Sequence, residues 1–212
     1  MAFTFNGSTQ YLSVNSSPIG NSPAAMSMAC WVNAAAQSRG IFLALGNSAT
    51  ATPFFSFESV TGGVFNATYR DDSGAIIAYG PTAVIFDSTW HHVCVTISGA
   101  NIQIFFDGAL NTTSAAIPTG AITLNRLAVG ALLRTSAALH FNGAVAEAAL
   151  WSSVLSASEV ESLAKGFTPE QVAPQSLVFY APLVREAIDT KGSLAITNNN
   201  SATVSAHPRV YA

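Results

Sequence analysis

The stretch Trp90-His91-His92-Val93-Cys94-Val95-Thr96-Ile97, followed by Ile102-Gln103-Ile104-Phe105-Phe106-Asp107-Gly108, decides the fold. In the first run Val93, Val95 and Ile97 alternate with Cys94 and Thr96. In the second, Ile102, Ile104 and Phe106 share a face, and the pattern stops at Asp-Gly. Successive strand residues point to opposite faces of a sheet, so each run has one apolar side. Asp-Gly tolerates the positive φ of a tight turn, so the two runs read as antiparallel strands closing into hairpin geometry.

Working outward, short apolar runs recur with turn chemistry between them. Strands are predicted at Phe3–Phe5, Tyr11–Val14, Met26–Val32, Ile41–Leu45, Phe54–Phe57, Val64–Arg70, Ala75–Tyr79, His91–Ile97, Ile102–Phe106, Leu127–Ala131, Gly143–Trp151 and Leu177–Ala181. Asn6-Gly7, Gly62-Gly63, Asp71-Asp72-Ser73-Gly74 and Ser98-Gly99 supply the turns. Many short strands at this spacing predict an all-β protein with two antiparallel sheets packed as a sandwich. One helix interrupts it. Ser156-Ala157-Ser158-Glu159 is a capping box, Val160, Leu163 and Ala164 make an apolar stripe, and Gly166 is placed to end the helix. Thr168-Pro169-Glu170-Gln171 offers a second helix start, with Pro at the first position.

Several of these segments resemble the laminin-G-like, concanavalin A-like jelly-roll domains. Phe5-Asn6-Gly7-Ser8 with Tyr11 is similar to the family's opening F-x-G-x-x-x-Y, and Ser27 to Val32 to its S-x-x-x-W-V strand. The Trp90 to Thr96 run is similar to its W-H-H-V-x-V-T core. Phe141-Asn142-Gly143-Ala144-Val145-Ala146-Glu147 through Leu155-Ser156 is similar to its closing N-G-x-I-D-E strand and helix, with Ala146 where Asp is usual and Glu147 kept. The matches cover roughly residues 1–166. The segment from Leu177 to Thr197, with Asp189, Gly192 and Leu194, resembles what usually precedes the family's first strand, yet it comes last here. The chain is therefore divided into a sandwich over 1–172 and a C-terminal segment over 173–212. That segment either completes the sheet from the other end, as jelly-roll termini lie close together, or leaves as an inter-subunit arm built on His207, Pro208, Arg209 and Tyr211.

Composition narrows the function classes. Hydrophobic residues make up 50% of the 212 and charged residues only 9%, against roughly 25% in an average soluble domain. A surface of Ser, Thr, Asn, Ala and Gly is easier to bury against other chains than one rich in Lys and Glu, though a neutral lectin surface has the same composition. The net charge is −3, and the eight cations are scattered through the sequence at Arg39, Arg70, Arg126, Arg134, Lys165, Arg185, Lys191 and Arg209. Nucleic-acid binding needs clustered cations to displace counterions, so that partner is not expected. No apolar run approaches the ~18 residues needed to span a bilayer, and Met1-Ala2-Phe3 runs into strand-like sequence without the pattern of an export signal. Cys30 and Cys94 sit within strands, where buried free thiols are the first expectation and a cross-strand disulfide the alternative.

No catalytic constellation stands out. Sandwich glucanases similar to this fold carry E-x-D-x-x-E on one strand face, and glycoside hydrolysis needs two facing carboxylates; the acids here sit alone or in turns. There is no nucleophile elbow, phosphate loop or zinc-helix motif. His91 and His92 are neighbours on a strand and point to opposite faces, so a structural role beside a packed Trp90 is expected. The chain is read as a non-enzyme with no resident cofactor. Calcium is the one ion the resemblance brings in, with Asp71, Asp72, Asn198, Asn199 and Asn200 as hard oxygen donors. An aromatic platform for sugar is sought at Tyr69, Tyr79 and Phe141, near loop ends.

The resemblance extends to laminin-G-type domains of phage structural proteins. It implies a virion structural protein, a capsid-decoration or fibre-type module on the particle surface, made in the host cytoplasm. Its partners would be other virion proteins such as the major capsid protein, and copies of itself. The alternative is a carbohydrate-binding, lectin-like module, with or without the help of calcium, that docks on host cell-surface glycans.

Overall fold

The computed structural model describes residues 1–80, 84–99, 101–208 and 210. Its strands are β1 Ala2–Asn6, β2 Tyr11–Val14, β3 Ala25–Asn33, β4 Gly40–Gly46, β5 Phe54–Val60, β6 Val64–Arg70, β7 Ile76–Tyr79, β8 His91–Ser98 and β9 Asn101–Phe106. They continue as β10 Ala109–Ala116, β11 Arg126–Val129, β12 Leu132–Leu133, β13 Ala137–Ala138, β14 Asn142–Trp151, β15 Leu177–Ala181, β16 Thr197–Asn199 and β17 Thr203–Ser205. The eight-stranded sheet runs β10-β9-β8-β3-β14-β1-β17, with β15 also paired to β14; the seven-stranded sheet runs β16-β2-β11-β4-β5-β6-β7. All their pairings are antiparallel. The fold is the expected two-sheet β-sandwich with one short helix.

The deciding hairpin is built as its pattern dictates. Val93 pairs with Phe106, Val95 with Ile104 and Ile97 with Ile102, and all six side chains enter the central core. Asp107 and Gly108 take φ of +44° and +84°, the left-handed pair of a tight antiparallel turn, but this turn joins β9 to β10, whereas β8 and β9 close between Ser98 and Asn101. Facing them across the sandwich are Leu43, Leu45, Phe55, Phe57, Phe65 and Ala67. Phe42, Phe57, Phe65, Phe86 and Phe141 form an edge-and-tilt aromatic cluster with centroids 5.3–6.0 Å apart, the spacing at which ring quadrupoles attract.

The helix, α1 (Ala157–Ala164), lies outside the eight-stranded sheet. Val160 and Leu163 pack there on Ala29, Cys94, Phe105, Ala149 and Trp151. Both halves of the capping box form: Ser156 Oγ accepts from Glu159 N at 3.3 Å, and Glu159 Oε2 accepts from Ser156 N at 2.7 Å. The second helix start gives a 3-10 turn, Pro169–Gln171, in place of an α-helix.

The C-terminal segment is part of the sandwich. β15 pairs with β14, β16 with β2 and β17 with β1. Asp189 is buried at the turn after β15, and its carboxylate accepts from four backbone N–H groups, those of Tyr180, Lys191, Gly192 and Leu194, at 3.0–3.1 Å. Phe179, Ala181 and Leu183 add to the main core.

Candidate functional site

On the outer face of the eight-stranded sheet a groove of about 460 Å³ is lined by Thr4, Asn33, Trp90, Asn142, Ala144 and Ser205, with small residues between them. Register explains its shape. Thr203, Thr4, Ala144 and Asn33 form one cross-strand row; Ser205, Ala2, Ala146 and Trp31 form the next. Ala2, Ala144 and Ala146 make a low apolar floor between taller neighbours, and the half-buried Trp90 and Trp31 pack against it. Ala146 stands where the family usually has Asp, so a charge that would have stood in this row is gone. Among the described residues Thr4 Oγ1 and Ser205 Oγ are buried without a hydrogen-bond partner, which is costly unless something supplies one. The backbone of Asn142 is fixed by Gln37, whose side chain donates to its carbonyl at 2.8 Å and accepts from its N–H at 3.0 Å. Gly7 packs beside Asn142: it takes φ +72°, and a Cβ there would come within 2.8 Å of Asn142 Cβ.

The aromatic residues chosen from sequence lie elsewhere. Phe141 is 0% exposed in the aromatic cluster, and Tyr69, only 6% exposed, packs in the core while also lining a separate cavity of about 240 Å³ with Pro23, Ile117 and Pro118. Tyr79 is half-buried on the inward face of the edge strand β7. The correction has a simple cause: each falls at an inward register position, which closeness to a loop does not reveal. Trp90, expected only to pack, both packs and lines the groove.

His91 and His92 do face opposite ways. His91 Nδ1 is 2.8 Å from Asp107 Oδ2 and Nε2 is 3.3 Å from Asp87 Oδ1. His92 is buried edge-on to Trp31, with centroids 5.4 Å apart. Burial pushes its imidazole pKa down from 6.5 to about 4, partly opposed by Asp107. Its Nδ1 has no partner.

The donors considered for calcium do not fit one ion. Asp71 and Asp72 flank the turn after β6, while Asn198, Asn199 and Asn200 belong to β16 and its end, across the width of the same sheet. Their groups are engaged locally: Asp71 Oδ1 accepts from Ser73 Oγ, Asp72 from Thr123, and Asn198 from Ala202 N. Among the described residues no three His, Cys, Asp or Glu side chains converge as metal ligands.

Of the residues proposed for an assembly arm, Arg209 and Tyr211 lie outside the described residues. Pro208 is buried, and His207 is tied inward, its Nε2 2.9 Å from Glu147 Oε1. Glu147 is itself 5% exposed, and its other oxygen accepts the Tyr180 hydroxyl hydrogen bond. Burial and this carboxylate hold the Tyr180 phenol well above its ordinary range.

The arginines correct a second reading. Scattered in sequence, Arg39, Arg70, Arg126 and Arg134 gather at the outer face of the seven-stranded sheet. Arg70 stands opposite Phe54 in register, Arg134 sits 5.4 Å above the Phe54 ring, Arg39 Nε is 2.5 Å from the buried Glu58, and Arg126 Nη1 donates to the Arg134 carbonyl.

The Laminin_G_3 family model, described as the concanavalin A-like lectin/glucanases superfamily, matches residues 6–161. The chain belongs to that superfamily. No curated protein sequence matches it. Among solved structures it is similar to a heptameric SAP-like pentraxin of Limulus polyphemus (13% identity, 77% of this chain, 81% of that one, TM-score 0.63). It is also similar to a Bacteroides ovatus protein provisionally described as carbohydrate binding (14%, 96% and 61%, TM-score 0.64). A third is the CBM40 of a Ruminococcus gnavus sialidase, bound to α2,3-sialyllactose (15%, 66% and 83%, TM-score 0.57). At these identities the likeness establishes the fold.

Proposed function

We propose that this chain is a non-enzymatic carbohydrate-binding module whose ligand lies in the Trp90 groove. The observation that carries this is the pairing, in one groove, of an indole with two buried hydroxyls that lack partners, Thr4 Oγ1 and Ser205 Oγ. A pyranose has an apolar C–H face and a rim of hydroxyls. The indole and the alanine floor suit the first, while the Asn33 and Asn142 amides and the two hydroxyls suit the second. Two of the structurally similar proteins are described by sugar binding, which supports the same reading.

Catalysis is not part of it. The buried carboxylates Glu58 and Glu147 lie on different sheets, each held by its own partners, so they do not form the facing pair that glycoside hydrolysis uses. The virion-surface role and location gain no support from the comparisons. The segment that would dock a particle is, in its described part, paired within its own sheets.

Screening the full chain on a panel of neutral glycans tests the proposal, with Trp90→Ala as the paired variant. Binding should be lost in the variant while the far-ultraviolet spectrum is kept. Glycan binding that survives Trp90→Ala, or a panel with no binder, overturns it.

A further inference from the structure

Four of the eight cationic side chains meet on a face that the Trp90 groove does not touch. Along β5, Phe54, Ser56 and Glu58 point outward from the seven-stranded sheet, away from Phe55 and Phe57 in the core. Arg70 is opposite Phe54 and Thr68 opposite Ser56. The connection between β12 and β13 lays Arg134 over Phe54, and Arg39 enters from the start of β4. Among the described residues these arginines make a single ion pair, Arg39 with Glu58. Glu58 is fully committed, since its second oxygen accepts from Thr68 Oγ1.

Among the described residues Arg70 and Arg134 therefore have no counter-ion, although Arg134 Nη1 donates to the Ala51 carbonyl. The strain is visible: burial, then Arg70, then Arg39 hold the Arg134 guanidinium below its usual range. Among the described residues two buried polar atoms there lack partners, Arg70 Nε and the fully buried Ser56 Oγ. In a chain of net charge −3 such a concentration of cations is a local reversal of sign. Planar guanidiniums present paired N–H donors that match the oxygens of a carboxylate or sulfate, and a bound anion offsets their mutual repulsion. The Phe54 ring is buried beneath Arg134 and fixes that guanidinium in place.

We propose that this face is an oxyanion-binding site, in which Arg70 and Arg134, with Arg39 beside them, receive a carboxylate or sulfate group carried by an acidic glycan. The glycan carrier rests on the carbohydrate-binding reading; the oxyanion site does not.

Calorimetric titration of the full chain with α2,3-sialyllactose, a heparin-derived hexasaccharide, lactose and inorganic sulfate tests it. The acidic saccharides should bind at least about tenfold tighter than lactose, and high salt should weaken them. Arg70→Gln and Arg134→Gln should each cost about tenfold, with Arg70→Lys intermediate because it keeps charge but loses the planar fork. A preference for the sulfated or the sialylated ligand names the carrier. Sulfate binding that depends on the two arginines, with no glycan bound, keeps the site and removes the glycan reading. Acidic ligands that bind no tighter than lactose, or binding indifferent to both arginine variants, overturns the proposal.

Discussion

Glu147 Oε1 lies 2.9 Å from His207 Nε2, joining the middle of β14 to the chain beyond β17. The bond sits at a junction. Residues 142–145 of β14 pair with β1 on one edge, and residues 148–151 pair with β15 on that same edge. Between them Glu147 takes φ +52°, and the register with β3 slips across 146–149. A bulge of this kind re-aims a side chain, and here it buries a carboxylate where three segments meet. Glu147→Ala would leave the Tyr180 hydroxyl facing no acceptor and His207 Nε2 with only the Pro182 carbonyl, 3.3 Å away, a loss of about 3 kcal/mol. Glu147→Gln, which keeps an acceptor for Tyr180, should lose about 1 kcal/mol. Urea denaturation of both variants measures the difference.

Truncation after Ala173 should unfold the protein rather than release a folded monomer. It removes β15, β16 and β17, and with them Phe179, Ala181 and Leu183 from the core. It also exposes the edges of β1 and of the second half of β14, which invites aggregation. Light scattering with circular dichroism decides: a folded, soluble 1–173 fragment would show that the tail is dispensable to the sandwich.

The alternating strands were legible because one face of each is apolar: β8 and β9 were readable to within a residue. β10, Ala-Leu-Asn-Thr-Thr-Ser-Ala-Ala, carries no such alternation and was missed. So were β12, β13, β16 and β17, each two or three residues long and held by neighbours rather than by pattern. Of the site, Asn142 and Ala144 lay inside a recognised motif, but the groove needs β17 beside β1, a contact about two hundred residues apart in sequence. The arginine cluster was hidden for the same reason: Arg39, Arg70, Arg126 and Arg134 come from different strands and a turn, and only register assembles them.

Cys30 and Cys94 should stay reduced under mild oxidant. They lie on paired strands, but Cys30 is opposite Val93 and Cys94 opposite Ala29. That one-residue offset puts Cys30 in the central core and Cys94 under the helix, on opposite faces of one sheet. Burial pushes both thiols up, so little reactive thiolate forms at neutral pH. A thiol reagent should titrate neither in the native protein and both in denaturant. Rapid labelling of the native state would contradict the packing.

His92 should make stability fall on the acid side of neutrality. Its folded pKa, about 4, lies below its ordinary 6.5, so between those values the unfolded chain binds a proton that the folded one refuses. Stability is then full above about pH 6.5 and declines as pH falls toward 4, by on the order of 3 kcal/mol in all. The cost is local, because Nδ1 has no partner and the ring lies edge-on to Trp31. His92→Phe keeps a ring against Trp31 and removes the titration, so its urea midpoint should change less between pH 7 and pH 4.5 than that of the unsubstituted protein. Carboxylates such as Asp71 and Asp87, which hydrogen bonds hold below their ordinary range, lose their own contribution at lower pH and affect both proteins alike. Parallel pH profiles for the two would place the acid sensitivity elsewhere.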